Sequence, residues 1–193
     1  MILDDLIPVL KNAKKISVLP HISADGDAIG SSLAFAYALS KIGKDATVYL
    51  EEEIPRTYMF LPCREKTQIF EQAEGEFDVV VALDTGDTGR LGNRIEIFNK
   101  AKITVNIDHH QTNDMFASYN YVDTKASATG EIIYDLIGKM NVEMDTCIAN
   151  CLYTAIVTDT GGFRYSNTTK RTHEIIAQLI DKGVDVADIA KKV

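Results

Sequence analysis

Apolar positions along this chain switch between two spacings, and the switches outline a fold. Leu3, Leu6, Ile7 and Leu10 recur on one stripe, which predicts an amphipathic helix over residues 3–14. Residues 16–20 form a short continuous apolar run that reads as a buried strand. The Ala- and Leu-rich stretch 32–42 has no breaker and reads as a helix closed by Gly43. A second strand is expected over 46–50. Pro55 and Pro62 mark 51–63 as a loop with a short helix, before a short strand within 66–71. Residues 77–83 are the clearest strand, β-branched and unbroken up to Asp84. A loop with Gly86, Gly89 and Gly92 follows, then a helix over 93–100 and a strand over 102–107 that ends at Asp108-His109-His110. A short strand over 119–122 precedes helices over 127–140, 146–159 and 172–182, the last closed by Gly183. Residues 184–190 read as the opening of another helix.

Strands alternate with helices in the first half, and helices dominate the second. That pattern predicts an α/β fold, a mainly parallel sheet with helices on both faces. No repeat, low-complexity tract or linker divides residues 1–193, so a single domain is expected.

Composition narrows the function classes. The 46% hydrophobic and 25% charged content are ordinary for a globular chain of 193 residues. A net charge of −8 argues against non-specific binding to long duplex nucleic acid, which needs a basic surface. It leaves room for a small phosphorylated substrate, because bound cations reverse the local sign of a carboxylate cluster. The N-terminus lacks the pattern of a signal peptide, and no apolar run is long enough to span a bilayer. Cys63, Cys147 and Cys151 form no C-x-x-C pair, and Cys147 and Cys151, four apart on an expected helix, read as small core residues on one face. A soluble, cytoplasmic protein is the expectation.

Candidate chemistry gathers where the strands end. His21, Asp25 and Asp27 occupy a strand-to-helix loop, and Gly26 between the carboxylates permits a tight turn. Two close carboxylates repel unless a cation or proton lies between them. The bland alternative is that Asp25 or Asp27 caps the helix. Asp84 ends the central strand, and Asp108, His109 and His110 end the later one. Three of the four histidines lie in these stations. Asp159 sits at the C-terminal end of a helix, where the dipole disfavours a carboxylate unless a cation is near. Parallel strands bring their ends to one edge of the sheet. Carboxylate and imidazole without thiolate suit Mn²⁺ or Mg²⁺, with Fe²⁺ or Co²⁺ also compatible. Two such ions about 3.5–4 Å apart are the usual device for in-line displacement at phosphorus. Asp84 is the expected bridge.

His-x-x-x-Asp-x-Asp-x-x-Gly-Ser at 21–31, Asp84, Asp108-His109-His110 and Thr158-Asp159-Thr160-Gly161 resemble, in order, the four motifs of the DHH phosphoesterases. The stretch 158–167 is similar to the bacterial nano-RNase type within that family. The resemblance implies a manganese-dependent phosphodiesterase or phosphatase, acting on short oligoribonucleotides or on 3′-phosphoadenosine 5′-phosphate. It implies metal ligands at His21, Asp25, Asp27, Asp84, His109 and Asp159. His21 and Asp25 would serve one ion, Asp27, His109 and Asp159 the other, with Asp84 between. The catalytic pair would be His110, beside the scissile phosphate, and Asp108, accepting from an imidazole or a backbone group. Other DHH activities, cyclic-dinucleotide phosphodiesterase or inorganic pyrophosphatase, are the alternatives, as is a non-catalytic sensor of phosphoryl ligands.

Complete members of the family carry a second, C-terminal domain with a glycine-rich substrate-gripping motif, which has no counterpart here. The chain therefore reads as a DHH catalytic domain cut off at Val193, able to fold and hold metal but slow in turnover. An exposed apolar patch near Ile189 and Val193 is expected. Arg164, Arg90 and Ser31 are the candidate substrate-binding residues, the first two through phosphate or ribose and Ser31 through the start of a helix. His173 fits no station and is expected in solvent. Phe163 is the aromatic residue nearest a motif. The sequence is silent on oligomeric state, a homodimer being one option.

Overall fold

The computed structural model describes the backbone of residues 1–193 and every side chain except that of Gln72. Six strands form one sheet: β1 (Lys15–Pro20), β2 (Asp45–Leu50), β3 (Thr67–Ile69), β4 (Val79–Leu83), β5 (Ile103–Asp108) and β6 (Tyr119–Val122). Their order is β3-β2-β1-β4-β5-β6, and every neighbouring pair is parallel. The order reverses between β1 and β4, which creates a crevice outside the strands' carboxyl ends. Register aligns the rims of the three central strands, since Pro20 pairs with Leu83 and Leu83 with Ile107. The next residues along β1 and β4 are His21 and Asp84, so both enter the crevice side by side.

The helices are α1 (Leu6–Asn12), α2 (Gly26–Lys41), α3 (Ile95–Lys100), α4 (Thr129–Lys139), α5 (Thr146–Asp159), α6 (Lys170–Asp181) and α7 (Val186–Ile189). Side chains of β4 alternate between two cores. Val79, Val81 and Leu83 join the large core with α1, α2 and α4, whereas Val80 and Ala82 join a smaller one with Leu91 and Phe98. Both faces are covered, but unequally. The second-half helices do not each cross over a strand; α5 packs on α2 and α4, and α6 on α5. Among the described residues no helix is long and apolar enough to cross a membrane.

Four sequence expectations are corrected. Helix α2 begins at Gly26 rather than at residue 32, because Asp25 caps it, accepting from the N–H groups of Asp27 at 3.1 Å and Ala28 at 3.0 Å. The role of Gly26 is therefore close packing rather than a turn: a Cβ there would overlap the Thr158 side chain of α5. The glycine loop after Asp84 contains a 3-10 segment, Thr88–Arg94, broken at Gly92. Ile189 is buried in the large core, so it forms no exposed patch with Val193, which is exposed.

Candidate metal centre

Three strand ends and three helix ends converge at the crevice: the starts of α2 and α4 and the end of α5. Asp84 follows β4 with φ +57°, a left-handed conformation that aspartate tolerates better than most residues. Its side chain, only 2% exposed, points one oxygen each way. Oδ2 lies 3.7 Å from His21 Nε2, and Oδ1 lies 3.7 Å from His109 Nε2. The His21 Nε2 is also 3.7 Å from Asp25 Oδ2. The His109 Nε2 is 3.5 Å from Asp159 Oδ2 and 3.9 Å from Asp27 Oδ2. Three ligand groups result, each with donor atoms within 4.8 Å of one another: His21, Asp25 and Asp84; Asp27, His109 and Asp159; and Asp84, His109 and His110.

Each imidazole is oriented from behind. His109 Nδ1 lies 3.3 Å from the Ala126 carbonyl, and His21 Nδ1 lies 2.7 Å from the Ile22 carbonyl. Those contacts leave both Nε2 atoms facing the carboxylates, as in a histidine set to bind metal. Arg90 Nη2 also lies 2.9 Å from His21 Nδ1. A proton on Nδ1 suits the Ile22 carbonyl and excludes the arginine, so a cation at Nε2 would displace Arg90 towards solvent.

Helix N-termini hold the buried carboxylates. Asp27, 1% exposed, accepts from the N–H groups of Thr129 at 2.6 Å and Gly130 at 2.9 Å, at the start of α4. The Thr129 hydroxyl donates to Asp84 Oδ1 at 2.8 Å. Even so, the cluster carries too much negative charge. Burial, with the charges of Asp84, Asp159 and Asp25, pushes Asp27 well above the usual carboxylate range. Burial, with Asp25 adding to it, raises Asp84 to about 6. Burial also raises Asp159. Asp25 goes the other way: burial works against ionisation, but His21 and the N–H groups of α2 outweigh it. Three carboxyls that resist ionising together are a site that a divalent cation would relieve. The donor set of carboxylate oxygens and imidazole nitrogens includes no cysteine, and fits hard or borderline divalent metals.

Beside the cluster, Asp108 is fully buried and accepts from His110 Nδ1 at 2.7 Å, from the His109 N–H at 2.8 Å and from Asn113 Nδ2 at 2.7 Å. Hydrogen bonding to Asp108 raises His110 to about 9, despite partial burial. Without metal that shift favours the imidazolium form of His110, whose side chain is exposed on its far side. Asp108 is closed off from solvent, and its contacts are with His110, the His109 N–H and Asn113.

The substrate candidates divide. Arg90 and Arg164 are exposed, and Arg164 Nε donates to the Gly161 carbonyl at 2.8 Å. Ser31 is corrected: it lies inside α2, fully buried, with its hydroxyl donating to the Asp27 carbonyl at 2.6 Å. Anion binding at a helix start is closed to it. His173 is exposed and stands against Phe163, with ring centroids 5.4 Å apart. Tyr165 was missed: it is exposed and packs over Gly161, two residues beyond Asp159. Thr129, Gly130 and Asn113 were missed too. The small polar start of the helix after Ala128 was the available signal for the first two, and Asn113 had none.

Comparison with known proteins adds the family. Residues 15–156 match the DHH family, N-terminal domain. The chain is 37% identical over 178 residues to the bifunctional oligoribonuclease and PAP phosphatase NrnA of Thermus thermophilus, covering 92% of this chain and 53% of that protein. It is 29% identical to the Bacillus subtilis protein of the same name, over 91% of this chain and 56% of the relative. The chain thus spans about half the length of these relatives. An exopolyphosphatase-related protein from Bacteroides fragilis superposes with a TM-score of 0.92 at 29% identity, over 99% of this chain and 59% of that structure. A putative family II inorganic pyrophosphatase from Methanococcus jannaschii, at 22% identity and a TM-score of 0.70 over 92% of this chain and 61% of that one, shares the fold.

Proposed function

Because this chain belongs to the DHH family, we propose that it is the catalytic half of a phosphoesterase using two divalent ions, manganese foremost. Its substrates would be short oligoribonucleotides, released as nucleoside 5′-monophosphates, and 3′-phosphoadenosine 5′-phosphate, released as AMP. The single observation behind this reading is the carboxylate of Asp84, whose two oxygens face two separate ligand groups. His21 and Asp25 would hold one ion, and Asp27, His109 and Asp159 the other. Bound there, the ions would supply charge neutralisation at phosphate and a lowered pKa for attacking water.

The rest falls to the chain's own groups. His110, held as an imidazolium by Asp108, would bind a phosphate oxygen and give its proton to the leaving oxygen. Arg90 and Arg164, both exposed, would contact phosphate or ribose. The names of the Thermus and Bacillus relatives support the substrate choice. A second lobe outside these residues would grip the substrate, as the shorter length relative to those proteins suggests.

The test is hydrolysis of a dinucleotide, of 3′-phosphoadenosine 5′-phosphate and of inorganic pyrophosphate with Mn²⁺, by this chain and by a longer reading frame. Release of 5′-monophosphates by the longer protein, with weak release by this chain, is expected because substrate positioning supplies several kcal/mol of barrier reduction. Preferred cleavage of pyrophosphate would replace the proposed substrate class. Equal rates for the two chains would refute the need for a second lobe.

A further inference from the structure

Behind His21 lies a strap whose anchor is remote in sequence. The peptide of Ile22 is fixed at both ends: its N–H donates to the Arg90 carbonyl at 2.8 Å, and its carbonyl lies 2.7 Å from His21 Nδ1. Arg90 belongs to the 3-10 segment Thr88–Arg94. That segment is held in turn by Glu51, just beyond β2. The Glu51 carboxylate accepts from the Asn93 N–H at 3.0 Å and from Asn93 Nδ2 at 2.8 Å, and lies 3.6 Å from Arg94 Nε. Arg94 is 1% exposed, and its guanidinium also donates to the Tyr49 and Leu91 carbonyls, each at 3.1 Å. Among the described residues, Glu51 is the one carboxylate within ion-pair reach of Arg94. Gly92 sits between the layers at φ +57°, where a Cβ would overlap Glu51 Oε2 and stand 2.7 Å from Ile22 Cγ2. Glu51, Gly92 and Ile22 are therefore packed in direct succession, ending at the His21 ring.

We infer that Glu51 and Arg94 are positioning residues for the metal site of His21, acting through the 3-10 segment and the Ile22 peptide. The inference rests on the proposed two-ion reading for its metal consequence, but not for its structural one. A buried ion pair broken on one side leaves an uncompensated charge, so losing Glu51 would release Arg94 and the segment it anchors. Ile22 would then lose its N–H partner, and its carbonyl would no longer hold the imidazole. Asp27, His109 and Asp159 are held instead by α4, the Ala126 carbonyl and α5, so the second ligand group would be untouched.

The experiment uses the full chain with Glu51→Gln and, separately, Gly92→Ala. Amide hydrogen exchange is measured without metal at Ile22, with Leu152 in α5 as the reference. Mn²⁺ binding is then measured by titration. The expected result is faster exchange at Ile22 with Leu152 unchanged, and about a tenfold weaker affinity for one ion only, the scale usual for losing a ligand's outer support. Glu51→Asp, which keeps the charge, should recover part of both. A purely structural role would raise exchange at Ile22 and Leu152 together and weaken both ions alike, and would overturn the inference. So would unchanged Ile22 exchange in a folded variant. If the unaltered chain binds fewer than two ions, the two-ion reading fails, while exchange at Ile22 still decides the strap. Should Glu51→Gln or Gly92→Ala not fold, the milder Glu51→Asp decides by the same two readouts.

Discussion

Asp108 holds His110 by a 2.7 Å contact from a position with no solvent access, while the His110 ring is 46% exposed. The carboxylate thus fixes a charged imidazole at the lip of the cluster. In metal-free protein, NMR titration of His110 should give a midpoint near the raised value of about 9, against an ordinary 6.5. Asp108→Asn should bring it back towards the ordinary value. Because the folded pKa is raised, the contact stabilises the fold fully below pH 6.5 and loses that effect as pH rises through 9. The stability gap between the two proteins should therefore narrow in alkali. An Asp108→Asn titration that matches the unaltered chain would remove Asp108 from this role.

Asp84 and His110 should separate in their effect on metal. Asp84→Asn removes a charge shared by both proposed ions, whereas His110→Ala removes a group assigned to substrate. Metal content after Mn²⁺ loading and desalting should fall sharply in the first variant and stay nearly intact in the second. Equal loss in both would contradict the division of roles.

Close packing of α2 on α5 positions Asp159. A Cβ at Gly30 would stand 2.5 Å from the Cys151 carbonyl and 3.1 Å from the Ala155 nitrogen, so backbone must move to admit it. Gly30→Ala should destabilise by about 1–3 kcal/mol through overpacking. That exceeds the gain of up to about 1 kcal/mol that alanine brings to a helix interior. A thermal melt that rises would show that α5 yields without strain.

At the opposite edge of the sheet, Asp78 accepts from Lys102 Nζ at 2.8 Å and from the N–H groups of Lys14 at 2.9 Å and Lys15 at 3.1 Å. The Lys102 contact first, then the two N–H groups, hold its carboxyl far below the ordinary 3.8. A depressed folded pKa gives stability above the unfolded value that is lost as pH falls through the folded one. Asp78→Asn should therefore be less stable at neutral pH, and the difference should shrink once pH drops below about 4. Denaturant melts at pH 7 and pH 3 would measure it, and a constant difference would refute the assignment.

Much of this arrangement was legible from the chain. Strand ends could be read because β4 and β5 are β-branched runs that stop at Asp84 and at Asp108, and parallel pairing forces such ends together. The start of α2 was legible only as the alternative in which Asp25 or Asp27 caps the helix, and Asp25 is the cap; the contact of Gly26 with Thr158 was not legible, being set by tertiary packing. Ser31 failed because a helix start misplaced by six residues put a buried hydroxyl at the surface. Thr129 and Asn113 escaped because their partners, Asp84 and Asp108, are set by tertiary contact rather than by spacing along the chain. The stacking of α5 and α6 outside α2 was equally hidden, as amphipathic periodicity shows that a helix has a buried face but not what covers it.

The most direct measurement is an anomalous difference map from crystals grown with Mn²⁺. Two peaks are expected at the carboxyl end of the sheet, about 3.5–4 Å apart. His21 and Asp25 should contact one, Asp27, His109 and Asp159 the other, and Asp84 both. A single peak, or two peaks with Asp84 bound to only one of them, would contradict the account.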